Sequence, residues 1–290
     1  MRKLKVLMIS AHPDDNELRS GGTALKYVEA GHEVRFLSVS SGNGGHQSMT
    51  PDEIKERRYK ETREVERITG IRYDVWLDVN DCEVEASLEM RKRVTRYIRE
   101  YSPDIIFTHR TNDYHADHRA VALLVQDSAY LLIVPNFCPE TPAMKECPVI
   151  MFSYDGFTNP PFVADAIVST DSVIERKYEM YDCHESQMYE WLPFTKGGLD
   201  EVPLDKVERR EWLRSPRVPR DNSLTLADYN ITFRTTASEY REHKSAMLFR
   251  DRLIERYGDA GKDVVFAEAF MLSEYGKKLD EENMKIFFPF

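Results

Sequence analysis

Short apolar runs alternate with helix-period segments through the first two thirds of this chain, and that alternation restricts the fold more than any other feature. LKVLMIS (residues 4–10), EVRFLSVS (33–40), YDVWLDV (73–79), DIIFTH (104–109), VIMFSYD (149–155) and DAIVST (165–170) read as strands. Helical pattern falls on 17–30, 52–69 and 87–101, after a loop in the segment from Asp113 to Tyr130, and on 172–188. Gly31 and Gly70 are stop signals, and Thr50 with Glu53 makes a capping box around Pro51 at the first helical position. Strands alternating with helices imply right-handed crossovers and a mainly parallel sheet covered on both faces.

The expected fold class is therefore α/β, a Rossmann-like three-layer arrangement with a C-terminal insertion or subdomain. Residues 1–188 form the expected catalytic core. Residues 189–262, rich in Pro, Arg and Glu with weak periodicity, read as an insertion or small subdomain. DVVFAEAFML (263–272) regains strand character, so 263–290 is expected to rejoin the core. A length of 290 residues with 41% hydrophobic residues supports an ordinary core. Forty basic against fifty acidic residues give a net charge of −10, a poor basis for binding nucleic acid or an anionic membrane. LKVLMISA (4–11) is too short to span a bilayer and suits a buried strand. The four cysteines, Cys82, Cys138, Cys147 and Cys183, include no CxxC pair and suit reduced thiols in a cytoplasmic protein.

In parallel sheets ligands bind beyond the carboxyl ends of the strands. Two polar clusters fall there. His12-Pro13-Asp14-Asp15 follows the first strand, and imidazole with carboxylate is an ordinary zinc donor set. A second carboxylate can then take a proton from water acidified by the metal. Asp14 and Asp15 suit helix capping equally well, so this segment alone is ambiguous. His115-Ala116-Asp117-His118 follows another strand and sets two imidazoles three positions apart, with Asp117 able to orient a ring. A solvated helix start capped by Asn112 or Asp113 is the alternative. Together the clusters carry enough ligands for an open catalytic metal site, plus a spare base. The residues leave open which Asp is the base and which of His115 and His118 is the ligand.

AHPDDxE (Ala11 to Glu17), Gly21-Gly22 and the later HxDH resemble the LmbE-like, or PIG-L, family of N-deacetylases. Gly31-His32-Glu33-Val34, Arg58 with Glu61, His184-Glu185-Ser186-Gln187 and Phe266-Ala267-Glu268-Ala269-Phe270 extend the resemblance. It implies His12, Asp15 and His118 as zinc ligands, with Fe2+ or another divalent metal open. It implies Asp14 as general base. It also implies a protonated His115, kept charged and oriented by Asp117, as the group that stabilises the oxyanion. The implied substrate is a small N-acetylated amino sugar or its glycoside, with self-association left open.

Softer expectations attach to Arg58, Asp81, His46 and His184 as substrate contacts, each equally readable as a helix arginine, a turn residue, a loop histidine and a packed histidine. Glu17 shapes the turn or complements the helix dipole. Arg19 stands where the family often has a small residue. An amidase cleaving a larger amide, such as a thiol conjugate of an amino sugar, is the rival within the class. A nucleotide-binding oxidoreductase lacks its GxGxxG after the first strand, and a non-catalytic sugar binder needs no Asp14.

Overall fold

The computed structural model describes residues 2–214 and 239–290. One seven-stranded sheet runs in the order β3-β2-β1-β4-β5-β7-β6. Its strands are β1 (Lys5–Ser10), β2 (Glu33–Ser38), β3 (Arg72–Val75), β4 (Ile105–Thr108), β5 (Val149–Ser153), β6 (Ala166–Ser169) and β7 (Ala267–Leu272). The strands from β3 to β5 pair in parallel, and β7 lies antiparallel to both β5 and β6. The sheet is thus mainly parallel, as the alternation of segments implied.

Each strand alternates its side chains between faces, and the two faces bury different helices. Val6 and Met8 pack with Phe36, Phe107 and the α1 (Asp15–Glu29) residues Ala24, Leu25 and Tyr27. Leu7 and Ile9 pack with Leu37 and Ile106 against Val94 and Ile98 of α3 (Leu88–Tyr101) and Val121, Leu124 and Val125 of α4 (Ala116–Leu131). Three layers follow directly from that alternation.

The capping box forms at α2 (Pro51–Thr69), with Thr50 accepting from the Glu53 amide and Glu53 accepting from the Thr50 amide. Helix α4 is capped by His115 instead of Asn112 or Asp113, because the His115 Nδ1 accepts the Asp117 amide. Three other elements depart from their expected bounds. β3 stops at Val75, and residues 76–84 leave the sheet to arch over the strand ends. The helix expected over 172–188 is α5 (Ile174–Cys183) followed by a break at His184 and a wider turn over Ser186–Trp191. Buried carboxylates cause that break: Glu17 takes the His184 ring at 2.7 Å, and Glu61 accepts the Ser186 amide at 2.8 Å. The last strand begins at Ala267, later than 263, and inserts between β5 and β6.

Within 189–262 the described residues are largely helical, with helices at Lys206–Arg214, Glu239–Leu248 and Arg250–Tyr257. Residues 215–238 of that segment lie outside the described residues. One of these helices closes a buried ionic network. The Lys177 ammonium, fully buried, meets Glu242 and lies 2.5 Å from Glu268. Glu268 also accepts the Gly22 amide at 2.8 Å and the Thr23 amide at 2.7 Å. Those amides are free because α1 is kinked at Ser20, where φ is −149° and ψ is 16°. A Cβ at Gly22 would stand 2.5 Å from the Thr170 methyl, so the close approach of Thr170, just beyond β6, requires glycine there.

Removing the cation would leave two carboxylates facing one another in the core. Lys177→Met is therefore expected to cost about 3–5 kcal/mol of stability, read from urea denaturation. A loss under about 1 kcal/mol, the scale of a surface ion pair, would show that the network is not desolvated as drawn.

Candidate metal centre

The site is assembled where β1 and β4 end. The chain leaves β1 through Ala11, His12 and Pro13, and reaches α1 through Asp14, whose φ of 119° is far from the usual range of an L-residue. That conformation is held from several sides. Tyr73 meets the Asp14 amide at 3.2 Å, and the Arg58 guanidinium bonds the Pro13 carbonyl and reaches Asp14 Oδ1 at 3.1 Å. The clamped turn brings three donor atoms together. His12 Nδ1, Asp15 Oδ2 and His118 Nε2 lie 3.3 Å from one another on every side. A tetrahedral zinc with bonds of about 2.0–2.1 Å spaces its donors by about 3.3–3.4 Å. The triangle fits such an ion without rearrangement.

The surroundings fit as well. The far nitrogen of each imidazole faces a carboxylate: His118 Nδ1 meets Asp113 at 2.9 Å, and His12 Nε2 meets Asp117 at 3.1 Å and Asp81 at 3.0 Å. Carboxylates in that position orient metal-binding imidazoles and raise their basicity. Five carboxylates, those of Asp14, Asp15, Asp81, Asp113 and Asp117, face two guanidiniums, Arg19 and Arg58. Burial opposes a charge on His12, yet Asp117, Asp15 and Asp81 outweigh it and pull its pKa well above the ordinary value. A dication answers the same demand for positive charge.

Asp14 stands beside the triangle. Burial lifts its pKa to about 6, against the pull of the Arg58 guanidinium and with the charge of Asp15 adding to the rise. His115 lies across the opening, its ring 4.7 Å from that of His12 and 5.0 Å from that of His118. Its Nδ1 accepts the Asp117 amide at 3.1 Å, which leaves the ring proton on Nε2. Burial, His12 and His118 together lower the pKa of His115. The expectation of a protonated His115 held by the Asp117 carboxylate therefore needs correction. That carboxylate is occupied by His12 and by the amides of Cys82 at 2.8 Å and Val84 at 3.3 Å. With Nδ1 accepting the Asp117 amide, His115 presents Nε2 to the opening.

The four expected substrate contacts are placed otherwise than free groups in a pocket. Arg58 is buried, with Nη1 on the Gly42 carbonyl at 3.0 Å and Nη2 on Pro13 and Asp14. Gly42, at φ 66°, has room for no Cβ against that guanidinium. Asp81 orients His12; burial favours its neutral form, but the hydrogen bond and charge of His12 prevail and hold it below the usual carboxylate range. His46 meets Glu190 at 2.7 Å and accepts the Ser48 and Met49 amides, so it shapes its own loop. His184 is wholly buried on Glu17.

Asp113 emerges as an orienting residue, having been weighed only as a helix cap; its place five residues before His118 was the available signal. His109 had no assigned role. It stacks flat on His118 at 4.1 Å and accepts the Ala11 amide, and burial and His118 hold its pKa down to about 3. Tyr114, 69% exposed, edges both His115 and His118 at the opening.

Residues 7–129 match the family model described as PIG-L, GlcNAc-PI de-N-acetylase. Over those residues the chain is similar to the PIG-L family. The match contains both halves of the donor triangle, while the motifs at 184–187 and 266–270 lie beyond it. The chain is 28% identical over 206 residues to the diacetylchitobiose deacetylase of Thermococcus kodakarensis, covering 66% of this chain and 75% of that one. It is 23% identical over 201 residues to the 4-oxalmesaconate hydratase of Pseudomonas putida, covering 67% of this chain and 78% of that one. The solved N,N'-diacetylchitobiose deacetylase of Pyrococcus horikoshii shares the fold with a TM-score of 0.65 at 24% identity, covering 93% of this chain and 84% of that one.

If Asp113 orients His118 for a metal, Asp113→Ala should weaken zinc affinity about 10–100-fold, measured by competition with a chromophoric chelator. Unchanged affinity would remove Asp113 from the centre.

Proposed function

We propose that the chain is a metal-dependent hydrolase that removes the acetyl group from a small N-acetylated amino sugar or its glycoside. The observation that carries this reading is the equal-sided donor triangle with Asp14 beside it and the Nε2–H of His115 across its opening. The similarity to the PIG-L family and the deacetylase relative support it. His12, Asp15 and His118 would hold the metal, with zinc the first choice and Fe2+ or another divalent ion open. Such a metal supplies Lewis acidity to the attacking water and to the amide carbonyl.

The remaining work falls to side chains. Asp14 takes the proton of the attacking water as the carbon–oxygen bond forms, then passes a proton to the leaving nitrogen as the carbon–nitrogen bond breaks, releasing acetate and a free amine. His115 Nε2–H donates to the carbonyl oxygen as negative charge develops there. Arg58 and Tyr73 hold Asp14 in its left-handed conformation, so the base is already aimed before substrate arrives. Tyr114 offers an exposed ring beside the opening against which a sugar can pack. The amidase of larger amides remains the nearest alternative. The hydratase relative supports a second reading, in which the same base delivers water to a carbon–carbon double bond.

Among the described residues no helix is long and apolar enough to cross a membrane. The chain's net charge of −10 fits an enzyme of the cytoplasm better than one that binds nucleic acid or an anionic membrane.

A screen of N-acetylated amino sugars and their glycosides for released acetate tests the substrate class. Asp14→Asn should retain the metal and lose about 10²–10⁴-fold in kcat. Equal turnover by Asp14→Asn would remove it as the base. His115→Ala should lose about 10²–10³-fold, chiefly in kcat, and a loss confined to KM would contradict the oxyanion role. Hydration of an unsaturated acid without acetate release would favour the second reading.

A further inference from the structure

We propose that Asp81, Cys82 and His115 form a second, weaker site for a soft divalent metal at the mouth of the catalytic centre, and that its occupation by excess zinc shuts the enzyme down. The site shares no ligand with the triangle of His12, Asp15 and His118. Its three donor atoms, a carboxylate oxygen, a thiol sulfur and an imidazole nitrogen, all lie within 4.8 Å of one another. Cys82 Sγ is 3.4 Å from Asp81 Oδ1 and 4.0 Å from His115 Nε2. A tetrahedral zinc with a sulfur bond of about 2.3 Å and nitrogen or oxygen bonds of about 2.0–2.1 Å sets sulfur about 3.5–3.6 Å from its other donors. The thiol–carboxylate spacing already matches, and a small rotation of the imidazole or thiol closes the other.

Three features place the thiol for this. All four cysteines are free, and Cys82 is the exposed one. Its backbone amide is bound to Asp117 Oδ2 at 2.8 Å, the same carboxylate that meets His12, so the loop carrying the thiol is fastened to the catalytic centre. Cys82 also adopts φ 66°, a conformation costly for any side chain, in a turn where glycine would be easier. The donor set of sulfur, nitrogen and oxygen suits zinc, cadmium and cobalt and disfavours magnesium and calcium, which seek oxygen alone.

Binding breaks the Cys82 S–H bond. The proton goes to solvent, and the sulfur keeps the electron pair it shares with the metal. His115 Nε2 binds through the lone pair of the other tautomer, its proton moved to Nδ1 and the hydrogen bond from the Asp117 amide given up, and can no longer donate to a carbonyl oxygen. The inhibition, though not the binding, rests on the role proposed for His115 above.

The test begins with the holo protein, one metal bound, titrated with Co2+. A second equivalent is expected to bind with a near-ultraviolet sulfur-to-cobalt charge-transfer band, and Cys82→Ser is expected to lose the band and that equivalent while keeping the first. Absence of the band in the unsubstituted protein, or its persistence in Cys82→Ser, overturns the site. Excess Zn2+ is expected to reduce acetate release at least tenfold in the unsubstituted enzyme and to leave Cys82→Ser, of unchanged basal activity, unaffected. Equal inhibition of both overturns the regulatory part. The cobalt band reports the site without any substrate, so failure of this proposal and failure of the deacetylase reading give different results.

Discussion

A single carboxylate oxygen organises the active end of this molecule. Asp15 Oδ2 lies 3.3 Å from an imidazole nitrogen of His12, 3.3 Å from one of His118, and 2.9 Å from the His12 amide. The last contact requires the chain to double back within four residues, which places Asp14 in its strained conformation. Neighbouring strands secure the turn. The Ala11 carbonyl accepts the Ser40 amide beyond β2, and the Ala11 amide reaches His109 at the end of β4. The sheet order, with β1 between β2 and β4, is what lets both neighbours take part.

Around that oxygen the problem is one of charge. Carboxylates outnumber guanidiniums, and almost all of these groups are shielded from water. Each carboxylate is assigned: Asp113 to His118, Asp117 and Asp81 to His12, Asp14 to Arg58. A dication bound by the three inward-facing donors satisfies the remaining demand and leaves the open side to water and substrate. The geometry that makes a good metal site therefore also isolates Asp14 as the carboxylate not spent on an imidazole.

Residue type and spacing made much of this legible. HPDD after one apolar run and HxDH after another pointed to a common centre because strands of a parallel sheet end on the same side. What spacing could not convey was the partner of each carboxylate. Asp117 lies between His115 and His118 in sequence, yet it reaches His12, because the first turn of α4 turns its side chain inward under the loop at 81–84. Arg58 read as a surface helix residue or a sugar contact. Its burial depends on Gly42 of a loop that no local pattern would bring against α2.

The larger features divide in the same way. Capped helices and the parallel strands β1 to β5 followed from local pattern. The break at His184 and the antiparallel insertion of β7 did not, since the first answers to long-range contacts from Glu17 and Glu61 and the second to backbone pairing with β5 and β6, both distant from it in sequence. The most direct test of the account is X-ray absorption at the edge of whichever metal the protein carries when purified without chelators and without added metal. Two imidazole nitrogens and a carboxylate oxygen at about 2.0–2.2 Å, with no sulfur, are expected. A sulfur neighbour at about 2.3 Å in that singly loaded protein, or a fully active protein without metal, would contradict it.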